Sequence, residues 1–214
     1  LRDHGRNSAL ADAEIRMTHV ARRALAAVDV DSLRGCEGEG AALYFGAFDA
    51  MIRNSDTQFA FTGRSRRPPL DRVNALLSFL YAILGNDCRG ALESVGLDPA
   101  IGFLHADRPG RMSLALDLME EMRPVLADRL ALSLINRRQL AASDFMEGEA
   151  GAVLLNETGR KLVLTAFSER KRQMLRHPFL GENMPLGLVL HVQAQILARH
   201  LRGDLDGYPG FVWK

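Results

Sequence analysis

Cysteine is scarce: Cys36 and Cys88 are the only two in 214 residues, and no Cys-x-x-Cys pair occurs. This argues against a disulfide scaffold and against a zinc knuckle, and leaves both thiols as small buried side chains. No apolar run approaches the ~18 residues a membrane span needs, so a cytoplasmic protein with no membrane partner is expected. Nor does one sign of charge dominate. The 27 basic and 26 acidic residues leave a formal +1, and total charge therefore names no partner. Strand signals are almost missing, with Val153-Leu-Leu155 the one candidate, and there is no internal repeat or low-complexity tract. The opening, Leu1-Arg-Asp-His, has neither an initiator Met nor a secretory apolar region, and is expected to continue a longer protein.

What is present is helical periodicity. Residues 8–28 run without a breaker, and Asp31-Ser32 offers a cap for a second helix reaching about Asn54. A break at Asn54-Ser-Asp-Thr and a basic loop follow, then a helix from Asp71 to Leu84 closed by Gly85-Asn-Asp87. A short helix over about 87–95, an acidic helix that kinks at Pro124, and helices near 157–176 and 184–202 complete an all-α fold. One domain over 1–214 is expected, with 1–30 as linker or first helix.

The acidic helix carries the chemistry. At helical spacing Ser113, Asp117, Glu120 and Glu121 fall in an arc of about 100°, while Met112, Leu116, Met119, Met122 and Leu126 cover the rest. Carboxylates beside so much apolar surface must face water, pair with cations or hold a metal. The loop before the helix, Gly102-Phe-Leu-His105, brings an imidazole near Glu120. With a third carboxylate from another helix, one nitrogen and two carboxylates suit magnesium or manganese in phosphate chemistry, zinc remaining compatible. The bland alternative is an acidic face paired with Arg108, Arg111 and Arg123.

Two further stretches stand out. Thr62-Gly-Arg-Ser-Arg-Arg-Pro-Pro69 gathers Arg64, Arg66 and Arg67 in a loop, a basic patch unless the arginines are merely solvated. Leu33-Arg-Gly-Cys-Glu-Gly-Glu-Gly40 opens a helix face that continues through Ala41, Tyr44 and Phe48. Glu37 on that face is a ligand, a cap or a surface glutamate, and the glycines around it permit a close neighbour such as a helix or a phosphate backbone.

In order and spacing, Arg34-Gly-Cys-Glu-Gly38, Arg66-Arg-Pro-Pro-Leu-Asp-Arg-Val-Asn74, Gly102-Phe-Leu-His105 and Ser113-Leu-Ala-Leu-Asp-Leu-Met-Glu120 resemble the helical domain of the CRISPR-associated integrase, the first of the Cas proteins. Asp144-Phe145, Arg170-Lys171, His177-Pro178 and the Tyr-Pro-x-Phe-x-Trp tail extend the resemblance over nearly the whole chain, and the tail and basic loop look most like the type I-C branch. The resemblance implies a helical catalytic domain whose companion, an N-terminal β-rich domain, this chain lacks. It implies a Mg2+- or Mn2+-dependent DNA integrase and endonuclease that inserts spacers by transesterification, a prespacer 3′-hydroxyl attacking repeat-boundary phosphates. Glu37, His105 and Glu120 carry over as metal ligands and Asp117 as an auxiliary acid. Arg64, Arg66, Arg67, Arg108, Arg111 and Asn74 are expected at the DNA. Implied partners are double-stranded DNA (prespacer and CRISPR repeat), a second copy of the chain, the small ferredoxin-like second Cas protein and, in the I-C branch, an iron–sulfur Cas nuclease.

Two other classes compete. One is a catalytically silent DNA-binding or assembly domain of an adaptation complex, in which the acidic stripe docks a basic partner. The other is a metal phosphohydrolase acting on small molecules, which the basic loop disfavours.

Overall fold

A computed structural model describes residues 7–54 and 56–213. Expectations for residues 1–6, and for Ser55 in the break after Asn54, lie outside the described residues. The expected all-α class holds, with short antiparallel strand pairs as the sheet found among the described residues. Among the described residues no helix is long and apolar enough to cross a membrane. The chain is laid out as two compact units, Leu1–Leu76 with Leu132–Asn156, and Leu77–Ala131 with Glu157–Lys214.

In the first unit α1 (Ser8–Leu25) packs on α2 (Val30–Gly46). Asn7 caps α1 through Ala9 N–H at 2.9 Å. The cap of α2 is Asp29, whose carboxylate accepts from the Ser32 amide at 2.7 Å and its hydroxyl at 3.0 Å, so Ser32 donates to the cap instead of providing it. Arg23 and Glu39 join the two helices at 2.8 Å. The second helix stops at Gly46 instead of reaching Asn54. A 3-10 turn, Asp49–Met51, takes over, and the Asp49 carboxylate accepts from Phe61 N–H at 2.9 Å. This brings Phe61 against Phe45 and Phe48, with ring centroids 6.3 and 5.1 Å away. Strands β1 (Phe145–Glu147) and β2 (Val153–Leu155) pair antiparallel, Phe145 opposite Leu155, so Val153-Leu-Leu155 is a strand but not a solitary one.

Helix α3 runs unbroken from Arg72 to Ser94, beginning in the first unit and ending in the second. Asp71 caps it as expected, accepting from Asn74 N–H at 2.7 Å. The predicted stop at Gly85 does not occur. A mid-helix glycine costs only about 1 kcal/mol against alanine, and Leu80, Leu84, Cys88 and Leu92 on either side are fully buried, which outweighs it.

The second unit also contains α4 (Ser113–Met122), the start of α5 (Arg129–Asn136), α6 (Glu157–Arg172) and α7 (Val189–Leu201). Between α4 and α5 the chain makes a six-residue π turn, Arg123–Asp128. Pro124 has no N–H for the i−4 carbonyl and its ring would collide with that carbonyl. The wider turn absorbs both faults and lets the helix resume. The remaining surprise is β3 (Met174–Arg176) pairing with β4 (Asn183–Pro185), Leu175 opposite Met184, which trims both flanking helices from their expected lengths.

Candidate functional site

The loop before α4 is wrapped around a single carboxylate. Asp117 Oδ2 accepts from the backbone N–H of Phe103 at 2.6 Å and of Leu104 at 3.1 Å. Its Oδ1 accepts from His105 N–H at 3.0 Å and lies 2.7 Å from His105 Nδ1. Ser113, fully buried, donates its hydroxyl to Ala106 O at 3.1 Å and holds the loop from the helix's first turn. Gly102 is required by this close approach: a Cβ there would stand 2.7 Å from Ser113 Cβ and 2.9 Å from Asp117 Oδ2.

These bonds orient the imidazole. A carboxylate facing Nδ1 favours the neutral tautomer with its N–H on that nitrogen, in which Nε2 is the ring's acceptor. A carboxylate behind the inner nitrogen is the arrangement that orients metal-binding histidines. Both side chains are sheltered, 17% and 13% exposed. His105 and Asp117 therefore fit one side of a divalent-cation site in donor chemistry. Among the described residues no group of three or more His, Cys, Asp or Glu is close enough together to hold a metal ion. His105, Asp117 and Glu120 belong to the second unit and Glu37 to the first.

The acidic stripe divides by function. One helical turn beyond Asp117, Glu120 is engaged by both terminal nitrogens of Arg123, at 2.9 and 2.6 Å. This is the pairing the bland alternative foresees, realised at Glu120 by Arg123. The Arg123 guanidinium lies over the Tyr81 ring, 5.5 Å from its centroid. The Tyr81 hydroxyl donates to Asp128 at 2.6 Å, and Asp128 is buried in the π turn.

Glu121 faces elsewhere, into the C-terminal segment. It accepts from Tyr208 O–H at 2.6 Å, Phe211 N–H at 2.7 Å and Gln193 Nε2 at 2.8 Å. Burial and the Glu121 charge push the Tyr208 hydroxyl far above its ordinary pKa, so it remains a donor. Gln193 Oε1 in turn meets His177 Nε2 at 3.2 Å, while His177 Nδ1 accepts from Phe179 and Leu180 N–H. His177 is thus a structural histidine that folds the turn between β3 and β4.

In the first unit Glu37 is exposed on α2. Cβ atoms built on Gly35 or Gly38 would meet nothing within 4 Å, so the glycines leave an open surface beside it. Arg64 and Asn74 are brought together: Asn74 Oδ1 accepts from Arg64 Nη1 at 2.6 Å and Ser65 N–H at 3.0 Å, and its amide donates to Gly63 O and Asp71 Oδ2. Asn74 is completely buried. It therefore ties down the basic loop from inside. Arg66 and Arg67 stand exposed on that loop, Arg108 is exposed and Arg111 half-buried in the second unit.

Sequence reasoning places Glu121 on the acidic stripe and Arg123 among the arginines that could pair with it, but it does not single out Tyr81 or Asp128 as site residues. Arg123 stands three residues after Glu120, the helical spacing for an ion pair. Nothing local marks Tyr81 or Asp128.

The family profile described as "CRISPR associated protein Cas1" matches residues 1–169. A CRISPR-associated endonuclease Cas1 of Rhodospirillum rubrum is 65% identical over the whole of this chain, which spans 64% of that relative's length. Among solved structures, a casposase bound to integration product superposes with a TM-score of 0.77 at 27% identity, covering 85% of this chain and 50% of that one. A Cas6-RT-Cas1–Cas2 complex gives a TM-score of 0.84 at 26% identity, with 100% and 23% covered.

Proposed function

Because this chain belongs to the Cas1 family of CRISPR-associated proteins, we propose that it is the helical catalytic part of a divalent-metal-dependent DNA integrase and endonuclease that inserts spacers into a CRISPR array by transesterification. The observation that carries the reading is the Asp117–His105 couple, which leaves an oriented imidazole Nε2 beside the acidic helix. The likeness to a casposase bound to integration product supports the reaction class.

In this reading Glu37, His105 and Glu120 hold Mg2+ or Mn2+, and Asp117 orients His105. When bound, the ion supplies Lewis-acid stabilisation of charge on the phosphate oxygens and activates the attacking 3′-hydroxyl. No side chain acts as nucleophile. Arg66, Arg67, Arg108 and Arg111 contact phosphates, and Arg64 and Asn74 shape the loop that presents the first two. The protein works in the cytoplasm as a homodimer on prespacer and repeat DNA. The small second Cas protein is its partner, as in the Cas1–Cas2 complex of its structural neighbour, and an iron–sulfur Cas nuclease joins in type I-C systems.

The reading is tested by joining a labelled prespacer to a repeat-containing plasmid, using the full-length protein with its small partner. Joined product is expected with Mn2+ and not with EDTA. Folded protein that binds both DNAs in Mn2+ yet joins none would instead be the silent assembly domain. The basic loop is tested separately. Replacing Arg66 and Arg67 with glutamine should reduce the slope of log affinity against log salt by about 0.9 for each phosphate no longer neutralised, measured by fluorescence anisotropy. A double variant with the wild-type slope would remove these arginines from the DNA.

A further inference from the structure

Both oxygens of Glu120 are taken by one guanidinium. Arg123 and a divalent cation therefore compete for the same carboxylate, and two cations so close repel each other in a partly buried setting. The guanidinium has somewhere to remain when it lets go. It rests over the Tyr81 ring, and Tyr81 is pinned through its hydroxyl to the buried Asp128. Arg123 is 17% exposed in its side chain, so after parting from Glu120 it stays in the site, where the two N–H groups that held the carboxylate can turn to another acceptor. A planar fork of N–H donors matches two oxygens of a phosphodiester as well as it matches a carboxylate.

We infer that Arg123 is a phosphate-binding residue controlled by the metal: it pairs with Glu120 until a divalent ion takes that carboxylate, then transfers its two N–H donors to a phosphate of the DNA strand. The inference rests on the reading of Glu120 as a metal ligand. Its consequence is reciprocal coupling. Metal binding frees the guanidinium for DNA, and DNA binding holds the guanidinium away from Glu120, so each ligand tightens the other by the same factor. Metal-free protein would thus lack one of its phosphate-binding groups, and the site becomes complete only when metal and DNA are both present.

The test is titration of full-length protein with Mn2+, read as free Mn2+ by electron paramagnetic resonance, with and without a prespacer duplex. Wild type, Arg123→Gln, Arg123→Lys and Glu120→Ala are compared. Without DNA, Arg123→Gln should bind Mn2+ about five- to tenfold more tightly than wild type, because the competitor is gone. DNA should tighten Mn2+ binding in wild type by about fivefold or more, and by less than about twofold in Arg123→Gln, beyond the background seen with Glu120→Ala. Arg123→Lys, which keeps the charge and loses the fork, should fall between. Weaker Mn2+ binding by folded Arg123→Gln would overturn the inference, since the arginine would then be orienting Glu120. So would full DNA coupling in both Arg123 variants. Mn2+ binding by Glu120→Ala at wild-type strength would instead overturn the ligand assignment, and this inference with it.

Discussion

Glu120→Ala is expected to abolish Mn2+-dependent joining of prespacer to repeat DNA, by at least about a hundredfold, while DNA binding survives. A ligand carboxylate sets both the position of the ion and the charge around it. Loss of even an orienting group behind a ligand costs about 10- to 100-fold in affinity or activity, and loss of the ligand itself should exceed that. The fold should tolerate the change. The Glu120 side chain is 24% exposed and pairs with a neighbour on its own helical run, while the core of α4 is formed by Leu114, Ala115, Leu118, Met119 and Met122. Removing a negative charge from a DNA-facing surface does not weaken phosphate contacts, so retained binding separates a chemical defect from a docking defect. The measurement is a gel assay of labelled prespacer incorporation beside anisotropy on the same duplex. Incorporation at the wild-type rate would take Glu120 out of the mechanism.

Asp117→Asn should do nearly as much through geometry. Asparagine keeps one carbonyl oxygen for His105, but turns an amide NH2 toward the N–H groups of Phe103 and Leu104, which then donate to nothing and are crowded by another donor. Hydrogen bonds to a charged acceptor contribute about 1.5–3 kcal/mol each. A net loss of about 2–3 kcal/mol is therefore expected, and with it a fall in melting temperature of roughly 5–10 °C. The imidazole loses the partner that fixes its tautomer, and Mn2+ affinity should drop about 10- to 100-fold. Calorimetry and Mn2+ titration on the same preparation check both effects. Normal melting together with normal Mn2+ affinity would mean that the loop is held by something other than Asp117.

Much of the fold was legible because local signals agreed with packing. Asp71 announced the start of α3, and apolar periodicity announced the long helices. Where expectation and structure part, a longer-range effect prevailed. Gly85 reads as a terminator, yet Leu80, Leu84, Cys88 and Leu92 bury the helix through it. Met174-Leu-Arg176 reads as the end of a helix, and it becomes a strand because Asn183-Met-Pro185 returns to pair with it. The candidate site shows the same division. Asp117 and Glu120 could be marked as chemically special from their spacing along an apolar helix. That one would collect a loop and the other an arginine depended on neighbours with no signature in the four-residue motif. Asn74 shows the same: from sequence its amide could bond within the site or to DNA, and its burial under the loop, bonded to Arg64, is visible only in the fold.

The bonds of Glu121 carry a consequence for how the protein is made. Its donors Tyr208 and Phe211 lie 87 and 90 residues further along the chain. On the ribosome the helix bearing Glu120 is made before them, and over that interval the Glu121 carboxylate lacks these two donors. A nascent chain, or a prematurely released one ending before residue 208, carries the acidic helix without the clasp that seats it. Seating of the acidic helix therefore depends on contacts of long sequence separation, and loss of the Tyr208–Phe211 segment should loosen α4 without touching Asp117 or Glu120.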